Sequence, residues 1–381
     1  MNDTSARTRR VAVICQLDRF ANGVKPVQID RFLRERGHEV HLVDTYHLSR
    51  AASVGGPLAR RRPGRGLRRP ALYALEVAGL PIRHAKVAQR RLSYHLVVAD
   101  HHLRRSMLRA LLPLDEFDLV ICETPHDAGV LRDGMTAQTL YDCPTPWADE
   151  LFFEGRLTER QHARLRGYEA ELFESIDRLA FHWQSYARYA VEHYGISGHN
   201  LMRLDWGCTP QARRAEFAGP PRVAYIGSLS SRFIDLPLLS RLSRLYPHID
   251  VYGAPPPAPS LGLNYRGYAS PDVLERYQLG LITCTKDQLR CNGFSAKHLE
   301  YLSYGLPVLA PSWRRHLELL PGSVAYDEKS FMSVIERLSD EAEWQRLSDA
   351  AYSGAQRLTW DETLRPLEDV LRGEAPPGPA F

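Results

Sequence analysis

Short apolar runs alternate with amphipathic stretches along most of the chain. The first run, VAVICQL at residues 11–17, carries no charge, as is typical of a strand that is buried on both faces of a parallel sheet. A pattern of helical period over residues 26–36 and a second strand pattern at 38–44 follow it. The order strand, helix, strand predicts a βαβ unit, in which ligands bind beyond the carboxyl ends of the strands.

The alternation continues through the chain in two series. Strand patterns recur at residues 118–122, 139–142 and 178–183, and a second series begins at 222–226. Residues 205–221, between the two series, are polar and punctuated by Pro and Gly, which is typical of a hinge between domains. We therefore predict an α/β protein built from two Rossmann-like βαβ domains.

The length of 381 residues agrees with two domains, because a single hydrophobic core rarely grows to that size. The predicted first domain spans residues 1–205 and the predicted second domain spans 206–355. We expect a final helix at residues 356–372 and a disordered tail, rich in Pro and Gly, at 373–381.

Composition narrows the classes of function. With 44% hydrophobic and 25% charged residues the chain is typical of a globular protein, and a net charge of +4 is too small for a general nucleic-acid binder. The six cysteines are scattered without a C-x-x-C pair, which favours reduced thiols in a cytoplasmic protein over disulfides or a metal site. No apolar run approaches the roughly 20 residues of a membrane span, so we expect any membrane contact to be peripheral.

Positive charge is concentrated in one segment of the first domain. Residues 50–70 are rich in arginine and contain no acidic residue, and the helical pattern at 71–112 continues the basic character. Such a segment predicts contact with anionic lipid headgroups at the inner face of a membrane, or with a phosphate-bearing acceptor. A solvated basic surface is the alternative, and composition does not separate the two.

One stretch, NGFSAKHLEYLSYGLPVLAP at residues 292–311, combines a polar loop, a short helix and a buried strand pattern. Ser295 and Lys297 lie in the first turn of the predicted helix, where free backbone N–H groups and a cation suit a phosphate or diphosphate. Glu300 lies one turn further and can accept hydrogen bonds from a sugar hydroxyl. The alternative is an ordinary helix-to-strand junction with a surface Lys–Glu pair.

Polar residues also follow the strands of the first domain. Asn22 and Gly23 follow the first strand in a loop that lacks the G-x-G-x-x-G pattern, so we interpret them as a turn that lines a cleft. Asp142, Asp149 and His126 come after later strands, together with Glu123 and Glu150, and each is a candidate general base. For each of them a loop or capping role is the alternative.

The second half of the chain resembles the donor-binding region of GT-B glycosyltransferases. GLITCTKDQLRCNGFSAKHLEYLSYGLPVLAP at residues 280–311 is similar to their K-x-x-E-Y-x-x-x-G-x-P-V segment, above all in the retaining family 4 enzymes and the xanthan-type glucuronosyltransferases. GSLSSRFIDLPLL at 227–239 resembles their G-x-L-x-x-x-K-G-x-D turn. The resemblance covers most of residues 222–371 and implies two domains facing across a cleft, with the last helix crossing back to the first domain.

The resemblance also implies roles for individual residues. Lys297 would neutralise the donor diphosphate and Glu300 would bind the ribose. The facing turn would close around the phosphates through Gly227, Ser228 and Arg232, and the nucleobase would be bordered by Gly267 and Tyr268. No D-x-D motif occurs, so we expect no metal and no cofactor besides the donor.

The implied function is transfer of a sugar from a nucleotide-sugar, with a UDP-sugar as the first expectation, to a glycan, lipid-linked or small-molecule acceptor. Asn292 occupies the position where family 4 enzymes carry a first glutamate, so inversion and retention both stay open. In the xanthan-type enzymes an aspartate of the first domain is the proposed base, and Asp142 and Asp149 lie in that neighbourhood. The alternatives are an epimerase or phosphorylase-like enzyme and a catalytically silent nucleotide-binding protein.

Overall fold

The computed structural model describes most of the chain, namely residues 8–17, 24–45, 94–132, 134–230, 233–293, 295–315 and 320–374. The arginine-rich segment at 50–70 lies outside the described residues, as do Asn22, Gly23, Arg232 and residues 375–381 of the predicted tail. The predictions made for them therefore stay predictions.

The described chain divides into two compact units. Unit 1 comprises Met1–Asp205 together with Leu364–Phe381, and unit 2 comprises Trp206–Thr363. Each unit contains one six-stranded sheet in which neighbouring strands pair in parallel. The predicted α/β class with two Rossmann-like domains is confirmed.

The sheet of unit 1 has the strand order β2-β1-β3-β4-β5-β6. Its strands are β1 Arg10–Cys15, β2 Glu39–Asp44, β3 Leu119–Cys122, β4 Gln138–Cys143, β5 Arg178–Phe181 and β6 Leu201–Arg203. Residues 119–122 of β3 are buried throughout, because helices cover both faces of a parallel sheet. The helices are α1 Val24–Glu35, α2 Tyr94–Leu111, α3 Trp147–Phe153, α4 Glu159–Ser175 and α5 Gln184–Tyr194.

Local sequence explains where two of these helices begin and end. Thr158 caps α4 through a capping box with Gln161, in which each side chain bonds the backbone N–H of the other residue. Gly195 ends α5 in the left-handed conformation, with a φ of 66°. The capping box thus sets where α4 begins, and the glycine sets where α5 ends.

The sheet of unit 2 has the strand order β12-β11-β10-β7-β8-β9. Its strands are β7 Val223–Ile226, β8 Ile249–Tyr252, β9 Asn264–Tyr265, β10 Leu279–Leu281, β11 Val308–Pro311 and β12 Ser323–Tyr326. The helices are α6 Leu236–Leu245, α7 Gln288–Asn292, α8 Ala296–Ser303, α9 Phe331–Arg337, α10 Glu341–Arg357 and α11 Trp360–Leu364. Because β7 and β10 are neighbours, the segments that follow them meet at the same edge of the sheet.

The chain ends its described part in unit 1, with α12 Pro366–Arg372. Leu367 and Val370 are buried, and Glu368 forms an ion pair with Arg36 at the end of α1. Gly373, with a φ of 75°, terminates the helix. Among the described residues, none of the helices has both the length and the apolar character that crossing a lipid bilayer requires.

Candidate functional site

The first candidate site lies in unit 2, where α8 begins beside the end of β7. A Cβ placed on Gly227, directly after β7, would lie 1.8 Å from Cε and 2.6 Å from Nζ of Lys297. The lysine stem therefore crosses the backbone of the turn in direct contact. Only glycine leaves room for this approach.

Burial defines the electrostatics of Lys297. Desolvation lowers the pKa of its ammonium group, while the carboxylate of Glu300 opposes that shift. Burial likewise raises the pKa of Glu300, and Lys297 lowers it. Within the described part of the chain, no carboxylate lies within ion-pairing distance of Lys297, whose Nζ lies 5.9 Å from the ring centroid of Tyr225. A partly desolvated cation of this kind gains strongly from an incoming anion.

Tyr301 fixes α8 against the sheet. Its hydroxyl accepts a hydrogen bond from the backbone N–H of Ile226 at 3.0 Å and donates one to the carbonyl of Leu281 at 3.3 Å. The ring packs on Gly280, where a Cβ would lie 2.4 Å from the ring carbon Cγ. One side chain thus ties the helix to β7 and β10, which sets the position of Lys297.

A second cation, Arg314, lies beyond β11 and is 5% exposed. Its guanidinium donates a hydrogen bond to the carbonyl of Gly293, in the loop that leads to α8. One guanidinium nitrogen lies 3.9 Å from Sγ of Cys284, and the charge of Arg314 also lowers the pKa of Lys297. Arg314 therefore adds positive potential at the start of α8 and holds the loop before it.

Three glycines follow three adjacent strands of unit 2. A Cβ on Gly253, after β8, would lie 1.8 Å from the carbonyl oxygen of Gly227, and the N–H of Gly253 donates to the carbonyl of Gly267 at 2.9 Å. The backbone segments after β7, β8 and β9 are therefore packed together. Beside them Tyr268 is 74% exposed, and Ser228 is also exposed.

Ser295 occupies the N-cap position of α8, and its side chain makes no capping hydrogen bond. The helix has eight residues. The side chain of Ser295 therefore leaves the first backbone N–H groups of α8 uncapped, and these groups lie in the same turn as Lys297.

The second candidate site lies in unit 1, at the carboxyl ends of the strands. Asp142, on β4, is fully buried and forms an ion pair with Lys25 of α1, with 2.6 Å between Oδ2 and Nζ. Lys25 also donates to the carbonyl of Leu204 at 2.7 Å and is itself fully buried. The pair links α1, β4 and the segment after β6.

Asp149 belongs to a different network. It lies in the first turn of α3 and is 1% exposed. Its carboxylate accepts a hydrogen bond from the hydroxyl of Tyr189 at 2.7 Å and contacts the ring Nε2 of His162. Both oxygens are therefore engaged by protein groups.

His126 packs against the start of α3. Its ring meets the ring of Trp147 edge-on, with 5.0 Å between centroids, and it is partly buried. The helix start is further held by Glu169, which accepts hydrogen bonds from the N–H groups of Trp147 and Ala148. Burial raises the pKa of Glu169 to about 7.

Comparison with solved structures gives matches along most of the chain. A glycosyltransferase from Rickettsia africae ESF-5 aligns over 96% of this chain and 98% of its own, with a TM-score of 0.58 and 10% identity. CalG4, the calicheamicin glycosyltransferase, aligns over 97% of this chain and 100% of its own, with a TM-score of 0.54 and 12% identity.

A third match is a point mutant of S. aureus TarM in complex with fondaparinux, alpha-GlcNAc-glycerol and UDP. It has a TM-score of 0.55 and 11% identity, and the alignment covers 71% of this chain but only 58% of TarM. The three matched proteins and this chain have the same two-domain α/β architecture, in which each domain contains a parallel sheet.

The chain has the GT-B fold.

No protein-family model matches the sequence, and neither does any protein of curated function. At 10–12% identity, the matches establish the GT-B fold alone.

The GT-B arrangement brings some of the predicted residues together. In unit 2 Gly227 and Lys297 are in contact and Ser295 begins the same helix, whereas in unit 1 Asp142 and Asp149 belong to separate networks. Nothing in these contacts tests the predicted roles of Ser228, Gly267, Tyr268 or Glu300, or the choice of base, so they stay predictions.

Several residues of the two candidate sites were not found from the sequence. Tyr301 was visible in the E-Y pair of the motif, but its bonds to two strands were not. Gly280 and Gly253 lie in or after strands, where an isolated glycine signals a close approach. Arg314 carries no local signal, because its partners are distant in sequence. Lys25 was predicted from its place after the first strand to lie at a ligand-binding edge, but its partner Asp142 was not predicted. Among the described residues, no three His, Cys, Asp or Glu side chains are grouped so as to hold a metal ion.

Proposed function

We propose that the protein is a glycosyltransferase that transfers a sugar from a nucleotide-sugar to a hydroxyl group of an acceptor. The main support for this proposal is the contact of Lys297 with Gly227, beyond the carboxyl ends of the adjacent parallel strands β7 and β10. It supplies a cation without a carboxylate partner among the described residues, at the point where α/β sheets bind phosphates. The GT-B fold, shared with several glycosyltransferases, supports the same reaction class.

The residues fit the chemistry of the leaving group. As the bond between the sugar and the diphosphate breaks, negative charge develops on the phosphate oxygen. Lys297, Arg314 and the first N–H groups of α8 would stabilise that charge in a partly desolvated position. Because these groups offer positive charge and hydrogen-bond donors at one place, we propose that the reaction is metal-independent.

The donor is proposed to be a UDP-sugar. One structural match, TarM, was solved with UDP, and Tyr268 offers an exposed ring beside the strand ends of unit 2. Glu300 lies one turn beyond Lys297 and would accept hydrogen bonds from the ribose. The acceptor is proposed to be a glycan, a lipid-linked sugar or a small molecule.

The decisive experiment measures donor turnover in EDTA for the natural protein and for Lys297→Ala. We expect UDP binding and UDP release from UDP-sugars to fall by about 100-fold or more in the variant, since one charge-assisted contact in such a site is worth about 3–4 kcal/mol. Lys329→Ala, which removes an exposed lysine of the same unit, is the matched control.

Two outcomes would contradict the proposal. Tight nucleotide binding without turnover of any nucleotide-sugar would favour a silent nucleotide-binding protein. Equal turnover by Lys297→Ala and the natural protein would remove the lysine from the reaction.

A further inference from the structure

A group of buried ionisable residues lies at the carboxyl edge of the sheet of unit 1. Its centre is the pair of Lys25 and Asp142, both fully buried, with 2.6 Å between Nζ and Oδ2. On the β5 side of Asp142, Nε2 of His182 lies 4.0 Å from the same oxygen. The remaining oxygen, Oδ1, is buried and has no hydrogen-bond partner in the described part of the chain.

Glu123 lies on the other side of Asp142. Residues 119–122 of β3 pair in register with residues 138–141 of β4. Continuing this register by one residue places Glu123 beside Asp142, and paired residues lie on the same face of the sheet. The backbone of Glu123 is fixed by a hydrogen bond from its N–H to the carbonyl of Ile14 at 2.9 Å. The carboxyl oxygen Oε1 is buried and has no hydrogen-bond partner within the described residues, and the residue as a whole is partly buried.

The charges around Glu123 are unbalanced. Three carboxyl groups, Glu123, Asp142 and Asp205, lie near the one ammonium group of Lys25, which is in contact with Asp142. Burial and then the charge of Asp142 raise the pKa of Glu123 well above its usual range, and Lys25 opposes this shift. The neighbouring thiols of Cys15 and Cys122 have raised pKa values because they are buried, and they stay neutral. Burial and the neighbouring carboxylate thus both increase the proton affinity of Glu123, as suits a group that accepts a proton.

Accessibility separates Glu123 from the two aspartates. Asp142 has no exposed surface and Asp149 has 1%, with both of its oxygens engaged. Neither can reach an acceptor without rearrangement of its partners. Glu123 is only partly buried as a residue and its Oε1 has no hydrogen-bond partner among the described residues, at the edge where α/β sheets hold their ligands.

We propose that Glu123 is the general base that deprotonates the acceptor, and that Lys25 and Asp142 are the residues that position it and set its proton affinity. The assignment rests on the proposed glycosyl transfer. The Glu123 carboxylate takes the proton of the acceptor hydroxyl while the oxygen forms a bond to the anomeric carbon. The bond from that carbon to the diphosphate breaks, its electron pair leaves with the nucleoside diphosphate, and the anomeric configuration inverts.

The test compares Glu123→Gln with the natural protein in acceptor-dependent transfer from a UDP-sugar. A general base contributes about 10²–10⁴-fold, so we expect a loss of at least 100-fold in kcat with UDP affinity unchanged. In the natural protein kcat should rise with pH through the raised pKa of Glu123, and this rise should be absent from Glu123→Gln. Glu123→Asp should restore part of the activity and the pH dependence.

Glu116→Gln is the matched control, since Glu116 is an exposed residue that pairs only loosely with Arg10, at 3.3 Å, before β3 begins. It should transfer at the natural rate. The anomeric configuration of the product, read by NMR, is an independent measure and should be inverted.

The possible failures are distinguishable. If the natural protein turns over UDP-sugars but Glu123→Gln keeps its rate and pH profile, or if the product retains configuration, Glu123 is not the base and the proposed glycosyl transfer stands. If the natural protein binds UDP and turns over no UDP-sugar, the proposed function and the role of Glu123 both fall. Circular dichroism shows whether Glu123→Gln is folded, and its UDP affinity must match that of the natural protein.

Discussion

Each unit has a lysine in the first turn of a helix, and the two lysines differ in whether a carboxylate contacts them. In unit 1 Lys25 and Asp142 are in contact at 2.6 Å, and neither has exposed surface. In unit 2 Lys297 has no carboxylate within ion-pairing distance among the described residues and rests against the turn at Gly227. A closed pair holds structural elements together, whereas an open cation is ready for an anionic ligand.

The difference follows from the elements that carry each lysine. Lys25 lies in the first turn of α1, where its ammonium group contacts Asp142 and donates a hydrogen bond to the carbonyl of Leu204. Lys297 lies in the first turn of α8, and Tyr301 holds that helix so that the lysine crosses a glycine turn. A lysine in the first turn of a helix therefore serves stability in one unit and, as we propose, binding in the other.

The largest expected effect tests the closed pair. Asp142→Asn should lower the free energy of unfolding by about 3–5 kcal/mol, because it removes the carboxylate that contacts the buried ammonium of Lys25. Urea denaturation measures this. Asp30→Asn, which removes one partner of an exposed pair with Arg34 on α1, should cost about 0.5 kcal/mol or less. Equal losses of stability from the two substitutions would show that the buried pair contributes no more than the exposed pair.

An intermediate effect is expected at the turn that accommodates the open cation. Gly227→Ala should cost about 1–3 kcal/mol of stability and displace Lys297, since the new Cβ would lie 1.8 Å from Cε. UDP affinity, measured by calorimetry, should fall at least tenfold. Gly262→Ala strains a left-handed residue, with a φ of 62°, that has no neighbour within 4 Å, and should leave UDP affinity unchanged.

The smallest expected effect is that of removing the open cation Lys297, which should leave stability almost unchanged or increase it. Lys297→Met should leave the free energy of unfolding within about 1 kcal/mol of the natural value or raise it, because the variant no longer buries a cation that lacks an ion-pair partner among the described residues. A loss of several kcal/mol, as expected for the closed pair, would mean that Lys297 is structural.

The pH dependence of stability sharpens this prediction. The pKa of Lys297 is lower in the folded protein than in the unfolded chain, so the unfolded chain binds more protons between the two values. The natural protein should therefore gain stability as pH rises from the folded pKa towards the usual value of 10.5, and Lys297→Met should lack this gain. Denaturation at a series of pH values up to that limit measures the difference.

The sequence predicted the fold class because each βαβ unit is a local pattern of buried strand, turn and helix. The resemblance to GT-B donor-binding segments also brought Lys297 and Gly227 into one predicted site, although the two residues follow different strands. The sequence placed Asp142 after a strand but could not predict its pair with Lys25, because the two residues are far apart in the sequence and meet only in the folded unit. Asp149 was equally prominent in the sequence, but its bonds to His162 and Tyr189 depend on how α3, α4 and α5 pack.

The return of α12 to unit 1 determines the order in which the two units can be completed during synthesis. Unit 2 is one continuous segment, Trp206–Thr363, whereas unit 1 also needs the residues that follow it. The ion pair of Arg36 with Glu368 and the burial of Leu367 and Val370 can form only after all of unit 2 has left the ribosome. The half of the protein that is translated first is therefore the half that is finished last.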